Sequence, residues 1–269
     1  MSTETGLENN WALILGASSG FGEAIALELA GHGMNIFGIH LDRKGTMPKV
    51  EEIKENIKEL GREAVFFNIN ASDPGKRSET LDEMEQILDE RGNPGSVKVL
   101  VHSLAFGTLK PYIAENEKER VSVKNMDMTL DVMAHSLVYW AQELVARGLM
   151  KAGGRIYAMT SAGGHRVWPT YGPVSASKAA IESHVRQLAV ELAPYNITSN
   201  AIQAGVTMTP ALSKIPGNED IIKNALAINP AKRLTTTEDV ARAIAALAVA
   251  GTYWLTGNVI KVDGGEDLI

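Results

Sequence analysis

The sequence predicts a doubly wound α/β domain, a parallel sheet covered by helices on both faces. Three observations carry that reading. Short β-rich apolar runs alternate with longer segments of helical period. The length, 269 residues, suits one α/β unit. Hydrophobic residues make up 45% and charged residues 22%, which excludes a disordered chain and a coiled coil. Repeated strand–helix–strand units need right-handed crossovers, so the strands are parallel and buried on both sides.

In chain order, strands are predicted at Trp11–Leu15, Met34–Ile39, Ala64–Ile69, Val97–Val101, Arg155–Thr160, Thr198–Ile202 and Asn258–Val262. A helical run from Glu23 to Ala30 follows the first strand. Val50–Leu60 places Val50, Ile53, Ile57 and Leu60 on one helical face. Met128–Val145 and Ser175–Leu192 read as long helices with an apolar face. Thr236 and Asp239 form a capping box for a helix at Asp239–Ala250, with Gly251 as its stop. The connection 206–234 holds Pro210, Pro216, Gly217 and Pro230, and long loops in such domains are often lids. No linker, repeat or low-complexity tract interrupts the chain, so 1–269 is expected to be a single domain with a lid.

Composition excludes several functions. No stretch approaches 18 uncharged apolar residues, so no membrane span is expected. The start, MSTETGLENN, has neither a basic nor an apolar region, so no signal peptide is expected. The absence of cysteine removes disulfides, thiolate metal sites and a thiol nucleophile, and suits a cytoplasmic location. No metal site is expected. The net charge of −6 argues against nucleic-acid and membrane partners, but leaves room for a local anion site.

One such site is legible. The first strand runs into Gly16-Ala17-Ser18-Ser19-Gly20-Phe21-Gly22 and then a helix. A glycine turn at a helix N-terminus presents backbone N–H groups and the positive end of the helix dipole to a pyrophosphate. The alternative is a tight structural turn without a ligand. The GxxxGxG spacing resembles that of the short-chain dehydrogenase/reductase family. So does the closing segment Leu255-Thr-Gly-Asn-Val-Ile-Lys-Val-Asp-Gly-Gly265. The resemblance covers nearly the whole chain. It implies a Rossmann-like seven-stranded sheet and a bound nicotinamide dinucleotide touching Gly16, Ser18, Ser19, Gly20, Phe21 and Gly22.

By spacing, His40 stands where an NAD-binding acid usually sits, with an ordinary loop histidine as the alternative. Asp42, Arg43 and Lys44 follow. A 2′-phosphate favours the basic pair, and Asp42 either binds ribose or pairs with Arg43. The balance of charge favours NADPH, with NADH as the other candidate. The resemblance places Asn70 and Ala71 beside the adenine. It places Ser103, Leu104 and Ala105 along the cofactor after the fourth strand. His102 reads as a core histidine satisfied by backbone. After the sixth strand, Gly205, Val206, Thr207 and Thr209 match the family's cofactor-contacting segment, whose threonine, best matched by Thr209, touches the nicotinamide carboxamide or the pyrophosphate.

An ordinary reductase of this family has a tyrosine four residues before its lysine, and here that position is Val174. The available phenol is Tyr171, seven residues before Lys178, with Ser161 in the usual serine place. Seven helical residues rise about 10 Å, two turns on one face. Pro173 suits a first helical turn, so Tyr171 is expected just ahead of the helix. The Tyr-x6-Lys spacing, the run Val101-His-Ser-Leu-Ala-Phe106 and the serine at 161 resemble a divergent NADPH-using branch of the enoyl-acyl-carrier-protein reductases. That resemblance implies Tyr171, Lys178 and Ser161 as catalytic residues. It also implies an acyl-thioester substrate on acyl carrier protein, and a homotetramer built through the two long helices. Tyr171 as a packing aromatic and Ser161 as a backbone cap stay open. Met133 falls where ordinary members carry a relay asparagine, and Tyr157 reads as core or cofactor wall. Ala211, Leu212, Ile215, Ala225, Leu226 and Ile228 either line an acyl pocket or pack the lid. Lys214, Lys223, Lys232 and Arg233 either receive an acidic carrier or form a solvated face. The rival functions are a carbonyl or alcohol oxidoreductase, such as a β-ketoacyl reductase, and a non-catalytic dinucleotide sensor.

Overall fold

The computed structural model describes residues 6–269; the start of the polar N-terminal segment, residues 1–5, lies outside them. Seven strands form one parallel sheet in the order β3-β2-β1-β4-β5-β6-β7. They are β1 (Trp11–Leu15), β2 (Asn35–His40), β3 (Ala64–Asn68), β4 (Val97–His102), β5 (Arg155–Ser161), β6 (Thr198–Ala204) and β7 (Val259–Val262). All seven match predicted strands to within two residues at either end. The helices are α1 (Gly20–Gly31), α2 (Met47–Glu59), α3 (Pro74–Glu90), α4 (Val123–Leu130), α5 (Ser136–Ala146), α6 (Gly172–Glu191), α7 (Asn218–Ile228) and α8 (Thr237–Ala248).

Both faces of the sheet are buried, which is why its strands read as nearly continuous apolar runs. Side chains alternate across each strand. Trp11, Leu13 and Leu15 join Leu81, Met84, Trp140, Ile181 and Val185 of α3, α5 and α6 in one core. Ala12 and Ile14 join Ile25, Leu29, Ile53, Val240 and Ile244 of α1, α2 and α8 in the other. Trp140 is fully buried, and its ring N–H donates to the Ala71 carbonyl at 2.9 Å, so its polar end is satisfied. Strand order reverses between β1 and β4, which opens a crevice at the carboxyl ends of the strands.

Two local expectations are corrected. The helix expected at Met128–Val145 is broken into α4 and α5 by a π-helical turn at Asp131–His135. The hydroxyls of Thr129 and Ser136, on either side, donate to the carbonyls of Asn125 and Val132, four residues back, where such back-bonding bends helices. The helix opened by the Thr236–Asp239 capping box is present. It ends at Ala248, however, and Gly251 sits in a following 3₁₀ turn without the left-handed conformation of a helix stop. Its terminal carbonyls are satisfied by side chains instead: Tyr157 Oη donates to Leu247 O at 2.6 Å, and Thr252 Oγ1 donates to Leu247 O and Val249 O.

Candidate active site

The glycine turn is held by close backbone contacts. Gly16 has φ +91°, and a Cβ there would lie 2.6 Å from the Ser103 carbonyl oxygen. A Cβ on Gly22 would lie 2.0 Å from the Gly16 carbonyl oxygen. Only hydrogen fits at either position. Ser19 is the N-cap of α1 and makes no side-chain cap bond, so no side chain competes for the N–H groups of the first turn. Thr209, beyond β6, comes down on this turn, its Cγ2 3.5 Å from where a Gly20 Cβ would be. Leu104 packs beside Gly16, and the Ser103 N–H donates to Leu15 O at 2.9 Å. Phe21 is half-buried against the core, and Ala105 is exposed.

At the end of β2, His40 is not a loop histidine. Its side chain is buried, with Nδ1 3.0 Å from Asp42 Oδ2. Burial pushes its pKa down, against the pull of Asp42, so it stands neutral at pH 7 and offers no cation to a phosphate. Burial works to raise the Asp42 pKa, but the neighbouring Thr46, Ser18 and His40 outweigh it and hold the carboxylate ionised. Asn68 fixes the Asp42 backbone through two hydrogen bonds, at 3.0 and 2.9 Å. Asp42 does not pair with Arg43. Among the described residues, the exposed Arg43 and Lys44 make no ion pair. Asn70 Oδ1 accepts from Ser72 N–H and Oγ–H, both at 3.1 Å, and Ala71 is buried beneath it.

The three proposed catalytic side chains come from two neighbouring elements. Ser161 ends β5, Tyr171 is the N-cap of α6, and Lys178 lies two turns into α6 and is buried. Pro173 occupies the first turn, where its missing N–H costs nothing. Thr170 sets the entry to this helix with φ +65°, a conformation that costs a β-branched residue about 1–3 kcal/mol. A Cβ on Gly163 would touch both Tyr171 Cε1, at 2.6 Å, and Ser161 Oγ, at 3.2 Å, so the two hydroxyl-bearing side chains converge across this glycine. Ser161 Oγ is buried and makes no hydrogen bond of good geometry. Burial raises the Tyr171 pKa and Ser161 opposes it only in part, so the phenol keeps its proton at neutral pH and is a donor. Lys178 Nζ donates to Met159 O at 2.8 Å. Burial pushes its pKa down to about 8, with Glu182 acting in the opposite direction.

Val174 is buried, and together with Met133 it closes on Gly107. Tyr112 lies across Gly172, next to Tyr171. Tyr157 is core, as its bond to Leu247 requires. His102 is buried, and the Ser136 side chain joins the backbone of His102 and Val132 in supporting its ring. Ser136 Oγ lies 2.9 Å from Nε2 and spends its own proton on Val132 O, so Nε2 carries the hydrogen and donates. Nδ1 has no partner. Burial, then the charge of Lys178, pushes the His102 pKa down to about 3.

The segment after β6 departs from expectation at Val206. Its N–H donates to the carboxylate of Glu266, at 3.1 and 3.3 Å, and is not free for a ligand. Thr207 is buried and donates to Gly205 O, while Thr209 Oγ1 accepts from Leu212 N–H. The lid carries α7. Leu212 and Ala225 are buried in its own packing, Leu226 is exposed, and Trp168 Nε1 latches the lid by donating to Pro216 O at 3.1 Å. Of the four lid cations, Arg233 pairs with Asp239 and Lys232 donates to Ala227 O, whereas Lys214 and Lys223 are exposed without an ion pair among the described residues.

Sequence reading missed Thr170, Trp168, Glu182, Glu266 and Asp267. Asp267 accepts from Gln203 and Lys261, at 2.9 and 2.7 Å, and pairs with Arg166 and His165. It thereby ties the C-terminal turn to β6, β7 and the loop leading to Tyr171. Only Glu182 had a local signal, one helical turn beyond Lys178. Among the described residues, no cluster of His, Asp or Glu could hold a metal ion, and no helix is long and apolar enough to cross a membrane.

A family model described as "Enoyl-(Acyl carrier protein) reductase" matches residues 16–266. The chain belongs to the short-chain dehydrogenase/reductase family of oxidoreductases. The chain is 30% identical over 261 residues to the 1-cyclohexenylcarbonyl-CoA reductase of Streptomyces collinus, covering 96% of the chain and 87% of the relative. It is 30% identical over 265 residues to the NADH-linked enoyl-[acyl-carrier-protein] reductase of Nostoc sp., covering 98% and 95%. It is also 30% identical over 260 residues to the 3-oxoacyl-[acyl-carrier-protein] reductase of Staphylococcus epidermidis, covering 96% and 98%. Among solved structures, the enoyl-[acyl-carrier-protein] reductase of Aquifex aeolicus superposes with a TM-score of 0.82 at 26% identity, covering 98% of each chain.

Proposed function

We propose that this reductase is an NADPH-dependent enoyl-[acyl-carrier-protein] reductase of fatty-acid synthesis, acting in the cytoplasm. One observation carries the reading. The phenol stands at the N-cap of α6 against Ser161, while the position that holds the tyrosine of a ketone reductase is a buried valine, Val174. In a ketone, hydride and proton go to adjacent atoms. In a 2-enoyl thioester, hydride goes to the β-carbon, and charge develops on the thioester oxygen three bonds away. A donor set back from the nicotinamide suits the second case. Tyr171, protonated at neutral pH, would donate to that oxygen and stabilise the enolate.

The residues present fit a dinucleotide. The cradle at Gly16 and Gly22 admits no side chain, and the uncapped first turn of α1 suits a pyrophosphate. When bound, the dinucleotide supplies the hydride. Lys178 would hold the nicotinamide ribose, Thr207 would line the cofactor, and Thr209, which comes down on the glycine turn, would lie beside the pyrophosphate. The Nostoc relative supports an enoyl substrate, and the S. epidermidis relative supports a carbonyl substrate as the second reading. Consumption of NADPH with crotonyl and longer 2-enoyl thioesters, set against β-ketoacyl thioesters, separates them. Turnover of the keto substrates alone would overturn the first.

NADPH is favoured by the unpaired Arg43 and Lys44. Replacing both with alanine should lower kcat/KM for NADPH by about tenfold or more and leave NADH within about twofold, since charge-assisted bonds to the 2′-phosphate are lost. A wild-type preference for NADH removes this part of the reading.

Lys214 and Lys223 are the two lid cations available to an acidic acyl carrier protein. Reversing both charges should raise KM for carrier-linked substrate and not for a coenzyme A analogue. Equal effects on the two would remove the dock. A homotetramer formed through α4–α5 and α6 is part of the proposal, and light scattering that reads any other mass refutes it.

A further inference from the structure

Lys178 is a cation buried inside the protein, and burial alone works against its charge. Among the described residues, its ammonium donates one hydrogen bond, to the Met159 carbonyl, which is neutral. Among the described residues, Glu182 is the carboxylate that favours the cation. Glu182 sits one turn further along α6, so its side chain rises on the same helical face. It is not left to swing in solvent. Thr160, on β5, donates its hydroxyl to Glu182 Oε1 at 2.8 Å. Gly164 closes over both residues: a Cβ there would lie 3.3 Å from Glu182 Oε1 and 3.4 Å from Lys178 Cβ.

We propose that Glu182, clamped by Thr160 and roofed by Gly164, is the counter-charge that keeps Lys178 cationic at working pH. This rests on the reading of Lys178 as the ribose-binding lysine, and it makes Glu182 a positioning residue that acts through Lys178. The other titratable groups around the lysine cannot take this role. His102, from β4, is held neutral by burial and by the charge of Lys178, so it supplies no negative charge. Tyr171, ahead of α6, is protonated. His135 and His184 pair with each other at 3.0 Å across the π-helical turn. Asp127 and Asp131 line a surface hollow with His135, a hollow that includes neither Lys178 nor Tyr171.

A lysine with a lowered pKa is charged below that pKa and neutral above it. Removing a nearby negative charge lowers the pKa again, so the cation is lost at lower pH. Glu182→Gln is nearly isosteric, and its amide oxygen can still accept from Thr160. Thr160→Val releases the clamp and keeps the charge.

The test is a pH titration of the Lys178 side-chain resonance by ¹³C-lysine NMR in the protein without added dinucleotide, assigned with Lys178→Met. In Glu182→Gln the midpoint should fall by about one unit, the scale of a close unit charge in a partly buried site. In Thr160→Val it should fall by less. The alkaline limb of kcat/KM should move with it. A midpoint unchanged in Glu182→Gln, with the fold intact by circular dichroism, overturns the proposal whatever the enzyme's substrate. A shifted midpoint in a protein that turns over no thioester supports the counter-charge and refutes the assigned reaction. If Glu182→Gln fails to fold, the Thr160→Val titration decides: a fall supports the proposal and no change refutes it.

Discussion

Tyr171→Phe should lower kcat for 2-enoyl thioesters by about 10²–10³-fold, the usual cost of removing one donor to a developing oxyanion. Dinucleotide affinity should stay within about twofold. The ring of Tyr171 is packed, and phenylalanine keeps that packing, so the loss isolates the hydroxyl. Ser161 lies against the same ring without a hydrogen bond of good geometry. Ser161→Ala should therefore cost much less. Steady-state kinetics and fluorescence titration with the dinucleotide check both statements. An unchanged kcat in Tyr171→Phe would show that the phenol is a wall and not a donor.

The second large effect is expected at the glycine turn. Gly22→Ala puts a methyl group 2.0 Å from the Gly16 carbonyl oxygen, a backbone atom that cannot swing aside. Either α1 or the turn must shift. Overpacking of this kind costs about 1–3 kcal/mol. The shift also moves the open N–H groups of the first turn, so dinucleotide affinity should fall by at least about tenfold. Gly31→Ala, near the other end of the same helix, is the control. A Cβ there meets nothing within 4 Å, and alanine is the better helix former by about 1 kcal/mol. Thermal melts and binding titrations of the two variants should move in opposite directions for stability and diverge for affinity. Wild-type binding by Gly22→Ala would remove the glycine turn from the cofactor site.

Much of the fold was legible because its signals are local. Burial on both faces of the sheet imposes an apolar run on each strand, and all seven runs were placed. The Thr236–Asp239 box announces the start of α8 through bonds that span three residues. Where expectation failed, a distant partner intervened. The helix through Met133 breaks next to Ser136, whose hydroxyl also serves His102, 34 residues away. The end of α8 needs no glycine because Tyr157 reaches Leu247 across 90 residues.

The candidate site divides in the same way. The sequence by itself determined the glycine turn, the pairing of Tyr171 with Lys178 on one helix, and the valine where a ketone reductase keeps its tyrosine. The first two follow from spacing within a single element, where helical and turn geometry is the same in any protein, and the third follows from the family resemblance. Only the tertiary structure decided that His40 is buried and neutral, that Val206 is held by Glu266 from 60 residues away, and that Glu182 is clamped by Thr160 beside the lysine. Protonation and hydrogen-bond partners depend on what other segments bring into contact and how much water they exclude. No local pattern in a sequence encodes that.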